Sequence, residues 1–210
     1  MNNEIIYRYF PNLSDLQKDR IDKLDDLYRY WNSQINVISR KDIDNIYLHH
    51  VLHSLSIMKF YTFNEGSSIM DLGCGGGFPG IPLAIINENC RFTLIDGKAK
   101  KIKVVNEIAS ELGLKNVFGI HQRAEECNSN FDFVVTRAVA TIDKLKSWSY
   151  PVLKKKNKGP MPPGLFAYKG GNINEELKFL DKNDYYELND IHEAIPENYF
   201  KEKYIIYLQR

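Results

Sequence analysis

The stretch Ser68-Ile-Met-Asp71-Leu-Gly73-Cys-Gly75-Gly76-Gly77-Phe78-Pro79-Gly80-Ile-Pro82 leaves this chain few folds to choose from. Ile69, Met70 and Leu72 form an apolar run of strand length. The glycines at 73, 75, 76 and 77 let the backbone take positive φ and approach a ligand with no Cβ in the way. Pro79 and Pro82 suit a first helical turn, where a missing N–H costs little. Strand, glycine turn and helix start therefore follow one another, and a helix N-terminus behind a glycine loop receives polar or anionic ligands.

The loop alone does not name the ligand. Gly75-x-Gly77-x-x-Gly80 satisfies the dinucleotide fingerprint, and Gly73-x-Gly75-x-Gly77 satisfies a different pattern. The next apolar run, Arg91-Phe-Thr-Leu-Ile-Asp96, ends in an acid. Enzymes that use NAD and enzymes that use S-adenosylmethionine (SAM) both hold ribose hydroxyls with a carboxylate there. Asp71 separates the two. It lies inside the first strand, where a dinucleotide site has an apolar residue, and a carboxylate in a poorly solvated pocket suits a cation. The Asp-x-Gly-x-Gly-x-Gly order resembles motif I of Rossmann-like SAM-dependent methyltransferases, whose ligand carries a sulfonium, an ammonium and no pyrophosphate.

From residue 66 the chain alternates strand and helix patterns, which predicts an α/β fold with a mostly parallel sheet and helices on both faces. Strands are expected at 68–72, 91–96, 117–121, 131–135 and 164–168, and helices at 79–87, 98–112 and 141–153. Gly113 reads as a helix C-cap. Two β-rich runs in the tail, Tyr185–Leu188 and Tyr204–Leu208, with no helix between them, predict an antiparallel hairpin at one edge of a seven-stranded sheet.

Residues 1–60 read as a helical extension packed on a core of residues 61–210. Asn12, Ser14 and Asp15 offer N-caps after Pro11. Leu16, Ile21, Leu24, Leu27 and Tyr28 then recur at helical spacing as the stripe of one amphipathic helix. Ser39 or Asp42 is placed to cap a second helix running through His49, His50, Val51, Leu52, Leu55 and Ile57. Tyr28, Tyr30 and Trp31 read as packing residues.

A net charge of +1 excludes a polycation, so contact with nucleic acid must come from local basic patches. Three cysteines, Cys74, Cys90 and Cys127, show no paired spacing and point to free thiols in a reducing compartment. The first residues lack a signal-peptide pattern and no apolar run reaches membrane-spanning length, so a cytoplasmic protein with no membrane partner is expected. His49 and His53 share a helix face, but no cluster of Cys, Asp or Glu completes a metal site, and no metal is expected. No coiled-coil seam is present, and a monomer is expected.

Four strand ends carry the chemistry: Asp71, Asp96, Ala124-Glu125 and Thr136-Arg137. Ala124 and Glu125 are placed to flank an adenine, the small side chain admitting the ring. Arg137 is placed to contact the methionine moiety or to hold a target nucleotide. Lys98, Lys100, Lys101 and Lys103 open the helix after the second strand; Lys154, Lys155, Lys156, Lys158 and Lys169 follow later, and both groups read as bordering the pocket for phosphate contacts. After strand four the chain reads Thr136-Arg-Ala-Val139, with no Asn/Asp-Pro-Pro-aromatic motif, no cysteine nucleophile and no general base. Guanine N7, whose lone pair needs no deprotonation, fits that gap, with transfer resting on alignment.

These residues resemble the RsmG (GidB) family of bacterial 16S rRNA guanine-N7 methyltransferases over nearly the whole chain. The resemblance is carried by Trp31-Asn32, Asn36-Val-Ile-Ser-Arg40, His50 with Ser54-Leu55, and Asp71 to Ala84 with its Gly-Phe-Pro-Gly-Ile-Pro tail. Asp96 with Lys100-Lys101, Arg123-Ala-Glu125, Arg137 to Ala140 and Lys169-Gly170 complete it. It implies a Rossmann-like class I methyltransferase with SAM contacts at Gly73, Phe78, Ala124, Glu125 and Arg137, joined by Asp71, Gly75, Gly77 and Asp96 from the residue reading. It also implies 16S rRNA or the small ribosomal subunit as partner. Arg123 and Arg137 are positioning candidates, and Lys100, Lys101, Arg123 and Lys169 are RNA-contact candidates. Two departures stand out: the family usually has Asp where this chain has His53, and the 154–163 segment is longer than the usual turn. Two other functions compete: an NAD-dependent oxidoreductase, and a SAM-binding assembly factor without catalysis.

Overall fold

The apolar runs become five parallel strands in a computed structural model that describes residues 3–156 and 159–210. Met1, Asn2, Asn157 and Lys158 lie outside the described residues, and the expectation for Lys158 lies there with them. The strands are β1 (Ser68–Leu72), β2 (Arg91–Asp96), β3 (Val117–His121), β4 (Phe133–Arg137) and β5 (Gly164–Gly170). β6 (Tyr186–Asp190) and β7 (Lys203–Gln209) complete a seven-stranded sheet of order β3-β2-β1-β4-β5-β7-β6. β7 runs antiparallel to both β5 and β6, so the expected edge hairpin forms with the last strand set inside it. The strand order reverses between β1 and β4, and the loops beyond their carboxyl ends bound the crevice where such sheets receive ligands.

Helices cover both faces. α1 (Glu4–Tyr9), α2 (Asp15–Asp22), α3 (Leu24–Gln34) and the single turn α4 (His53–Leu55) precede the sheet. α5 (Gly80–Ile86), α6 (Ala99–Glu111), α7 (Ile142–Ser149), α8 (Ile173–Leu177) and α9 (Ile191–Ala194) lie between strands. Ile21, Leu24 and Tyr28 of the extension share one core with Ile81 of α5, Ile108 of α6 and Phe166 of β5. On the other face, Ile142 and Leu145 of α7 pack with Met70, Val134 and Ile206. Among the described residues no helix is long and apolar enough to cross a membrane.

The structure corrects several sequence expectations. The first stripe is two helices, not one, because the Tyr47 hydroxyl donates to the Ile21 and Asp22 carbonyls where the helix would have continued (3.2 and 3.0 Å). Leu16 is 50% exposed and lies off the buried stripe, and Tyr30 is 61% exposed and lies outside the packing assigned to it. Ser14 is the N-cap of α2, its hydroxyl and the Gln17 side chain closing a capping box. Asp42 caps nothing with its side chain; the segment after it runs through a 3₁₀ turn and a π-helical stretch, Ile46–Leu52, before α4. β4 starts two residues late, since Asp132 turns its carboxylate onto Ser68 and Lys154, and it extends through Arg137 because β5 supplies partners that far. α7 gives way to a 3₁₀ turn at Tyr150–Val152, where Pro151 removes a ladder N–H. The tail does contain helix: α9, started by Asp190, and a 3₁₀ turn at Asn198–Phe200. α8, capped by Asn172, falls where no element was expected.

Candidate active site

The glycine loop is shaped by crowding from two sides. Gly77 has φ 103°, and a Cβ there would lie 2.5 Å from Ile81 Cδ1 and 3.2 Å from the Tyr28 hydroxyl. At Gly80 a Cβ would lie 2.7 Å from both Asp71 Oδ2 and Leu94. Glycine is required at both places, because the helix start is pressed against the sheet. Asp71 is fully buried and its Oδ2 accepts from the Gly80 N–H (2.7 Å), so one oxygen serves the first turn of α5. Its other oxygen, Oδ1, is buried without a hydrogen-bond partner among the described residues. Burial pushes the Asp71 carboxyl up to about 7.

Asp96 ends β2 and ties the loop to the next helix. Its Oδ2 accepts from the Gly75 N–H (3.1 Å) and its Oδ1 from the Lys98 N–H (2.8 Å). The Lys101 ammonium stands 3.9 Å from Asp96 Oδ2. Beside this carboxylate is a cavity of about 240 Å³, walled by Gly73, Asp96, Arg123, Ala124, Glu125 and Trp148. Val139, from the loop after β4, covers Gly73 closely enough that a Cβ there would meet it at 2.7 Å. A larger depression of about 640 Å³ lies at the amino ends of the strands, lined in part by Asn64, Asp132 and Lys154. It has neither glycine loop nor strand carboxyl ends, and the smaller cavity is the better site.

The expected site residues fall into two groups, one lining the cavity and one turned toward the helical extension. Gly73, Asp96, Ala124 and Glu125 line the cavity, with Gly75 bonded to Asp96. Asp71, Gly77, Phe78 and Arg137 lie beneath the loop, toward the helical extension. Phe78 stacks on Tyr28 with ring centres 4.6 Å apart, and the Tyr28 hydroxyl donates to the Gly76 carbonyl (2.7 Å). Arg137 is partly buried; its guanidinium donates to the His49 carbonyl (3.1 Å) and to His50 Nδ1 (3.0 Å) and sits 5.4 Å from the Phe78 ring centre. Among the described residues no carboxylate forms an ion pair with it.

The lysines separate as well. Lys98 and Lys100 are exposed at the start of α6, with the Lys98 N–H on Asp96, and Arg123 is exposed in the cavity wall itself. Lys169 is not presented to solvent: its ammonium pairs with Glu176 (2.9 Å) and donates to the Ala140 carbonyl (2.5 Å), holding the loop that carries Val139. Lys154 pairs with Asp132 at the amino ends of the strands, so the 154–156 lysines stand at the opposite edge from the cavity rather than bordering it. His53 is buried among Tyr168, Tyr199 and Phe200 with its Nε2 unpartnered among the described residues. Among the described residues no group of three His, Cys, Asp or Glu side chains is arranged to hold a metal. Sequence reasoning missed Trp148 in the cavity wall, although the Ile142, Leu145, Trp148 spacing marks one face of α7.

The model of the family described as rRNA small subunit methyltransferase G matches residues 17–200. The chain belongs to this family. A relative named ribosomal RNA small subunit methyltransferase G from Christiangramia forsetii is 47% identical over 99% of this chain and 97% of its own. One of the same name from Porphyromonas gingivalis is 46% identical over 98% and 92%. Among solved structures, a SAM-dependent methyltransferase from Aquifex aeolicus superposes with a TM-score of 0.56 at 16% identity, covering 75% of this chain and 90% of that one. M. jannaschii TYW2 in complex with AdoMet gives 0.53 at 17% identity, covering 84% and 77%. The fold is thus the class I methyltransferase fold. Family membership favours methyl transfer over the dinucleotide-dependent oxidoreductase.

Proposed function

We propose that this protein transfers the methyl group of SAM to N7 of a guanine in 16S rRNA of the small ribosomal subunit. The observation that carries the cofactor reading is the doubly anchored Asp96 carboxylate, set between the glycine loop and α6 at the wall of the cavity. The residues fit a cationic adenosyl ligand: Asp71 keeps one buried oxygen unpartnered among the described residues, and the cavity wall that holds Asp96 also carries the small Ala124. Asp96 would hold the ribose hydroxyls, Ala124 and Glu125 the adenine, and Arg137, a partly buried cation with no carboxylate ion pair among the described residues, the carboxylate end. A buried charge without a counterion is costly, and an arriving anion offsets that cost. When bound, SAM supplies an electrophilic methyl group on its sulfonium. The chain's own residues align, exclude water and supply no base, since N7 has no proton to lose; alignment is a large term by itself.

Lys98, Lys100 and Arg123 are the RNA contacts this reading favours, while Lys101 supports Asp96 and Lys169 supports the loop after β4. The protein works as a cytoplasmic monomer, its extension of residues 1–60 set on the catalytic core of 61–210. Incubating labelled SAM with small subunits from a strain lacking the enzyme tests the reading. Label is expected at guanine N7, and Asp96→Ala is expected to weaken SAM binding by roughly tenfold, about the loss of one charge-assisted hydrogen bond. Lys100→Ala is expected to weaken RNA use with SAM affinity unchanged. An unlabelled RNA beside full SAM binding would leave an assembly factor.

A further inference from the structure

The loop between the two halves of the extension reaches the cleft through a chain of side chains. Asp42 bridges two adjacent imidazoles: Oδ1 to His49 Nδ1 (2.5 Å) and Oδ2 to His50 Nε2 (2.7 Å). The other nitrogen of His50, Nδ1, faces Arg137 Nη2 at 3.0 Å. A guanidinium can only donate, so Nδ1 must be the acceptor. The His50 proton therefore sits on Nε2 and is held there by Asp42. This is the arrangement in which a carboxylate fixes a tautomer and the imidazole fixes a third group. His49 stacks on Tyr199 (ring centres 3.8 Å apart) and gives its carbonyl to Arg137 Nη1 (3.1 Å), so the same pair of residues grips the guanidinium twice.

We infer that Asp42 and His50 are positioning residues that hold the Arg137 guanidinium at the cleft, so that the helical extension sets the geometry of the methyl-donor site. This rests on the reading of Arg137 as a contact for the donor's carboxylate. Asp42, His49, His53 and Arg137 are charged or titratable groups that act on His50, and burial with the Arg137 charge keeps the imidazole neutral, pushed down to about 4. A protonated Nδ1 would turn a donor toward a donor, so the neutral form is the working one throughout the neutral range.

A mutant cycle read by calorimetric SAM titration tests the inference. Asp42→Ala and His50→Phe are each expected to weaken SAM binding roughly tenfold, as displaced positioning groups do. In an Arg137→Ala background the same changes are expected to cost less than about twofold, because the group they act through is gone. His50→Asn, whose amide oxygen replaces the Nδ1 acceptor, is expected to stay within about threefold of the unaltered protein. Circular dichroism of each variant keeps misfolding apart from displacement, and His50→Asn against His50→Phe decides the matter where Asp42→Ala does not fold. Penalties that add fully onto Arg137→Ala, or His50→Asn as weak as His50→Phe, would overturn the inference while leaving Arg137 a ligand contact. Arg137→Ala with undiminished SAM affinity would instead remove the Arg137 reading, and this inference with it.

Discussion

Asp71 shows how one buried carboxylate serves two states of the protein. Its Oδ2 caps the first turn of α5 and its Oδ1 has no partner among the described residues, in a setting that burial makes hostile to charge. The folded-state value, about 7, lies above the ordinary 3.8, so the folded chain holds this proton more tightly than the unfolded chain does. Stability from this group is full below about pH 4 and is lost as pH rises toward 7 and beyond, by at most about 4 kcal/mol. Asp71→Asn keeps an acceptor for Gly80 and has no proton to lose. Thermal melts without SAM are therefore expected to converge for the two proteins at acid pH and to favour the asparagine variant increasingly up to pH 8. Parallel pH profiles would show that the carboxylate is charged and compensated in the folded state.

At the scale of elements, the extension and the glycine loop are joined by α3. Tyr28 is fully buried, stacks on Phe78 and donates to the Gly76 carbonyl (2.7 Å). Tyr28→Phe keeps the ring and strands that carbonyl, which costs about 1–3 kcal/mol. Denaturant unfolding is expected to show that loss, and SAM titration a weaker site, since the loop's backbone is what the hydroxyl holds. Unchanged affinity would mean that the loop is set by the sheet alone. The sheet was legible because strands such as Ile69–Leu72 and Phe92–Ile95 are mostly apolar, each broken by a single polar residue, and are closed by glycine or acid. The loop was legible because crowding at Gly77 and Gly80 admits only glycine. The helix boundaries in the extension were not, since the break at Lys23 depends on Tyr47, some 25 residues on, and periodicity carries no such tertiary bond. Lys169 was misjudged for a similar reason: a lysine before glycine at a strand end looks solvent-bound until α8 brings Glu176 to it. The grip of His49 and His50 on Arg137 likewise appears only when the extension is folded onto β4.

For the molecule as a whole, the extension and the sheet share one core, with Ile21, Leu24, Tyr28, Leu52 and Leu55 buried completely. Five such side chains contribute on the order of 10 kcal/mol, enough to fasten the extension to the sheet whether or not a ligand is present. The cleft is then built from both parts: the core supplies Asp96, Ala124 and the loop, and the extension holds Arg137 and the underside of the glycines. Two depressions compete for the role of site, and the larger is at the wrong end of the strands. Hydrogen–deuterium exchange with and without SAM measures the choice directly. Added SAM is expected to slow exchange at residues 73–77, 96–101, 122–126 and 137–141, at the carboxyl ends of β1 to β4, and to leave residues 64–67 and 154–156 unchanged. Protection confined to the 64–67 and 154–156 segments, with the glycine loop exchanging as before, would contradict the account.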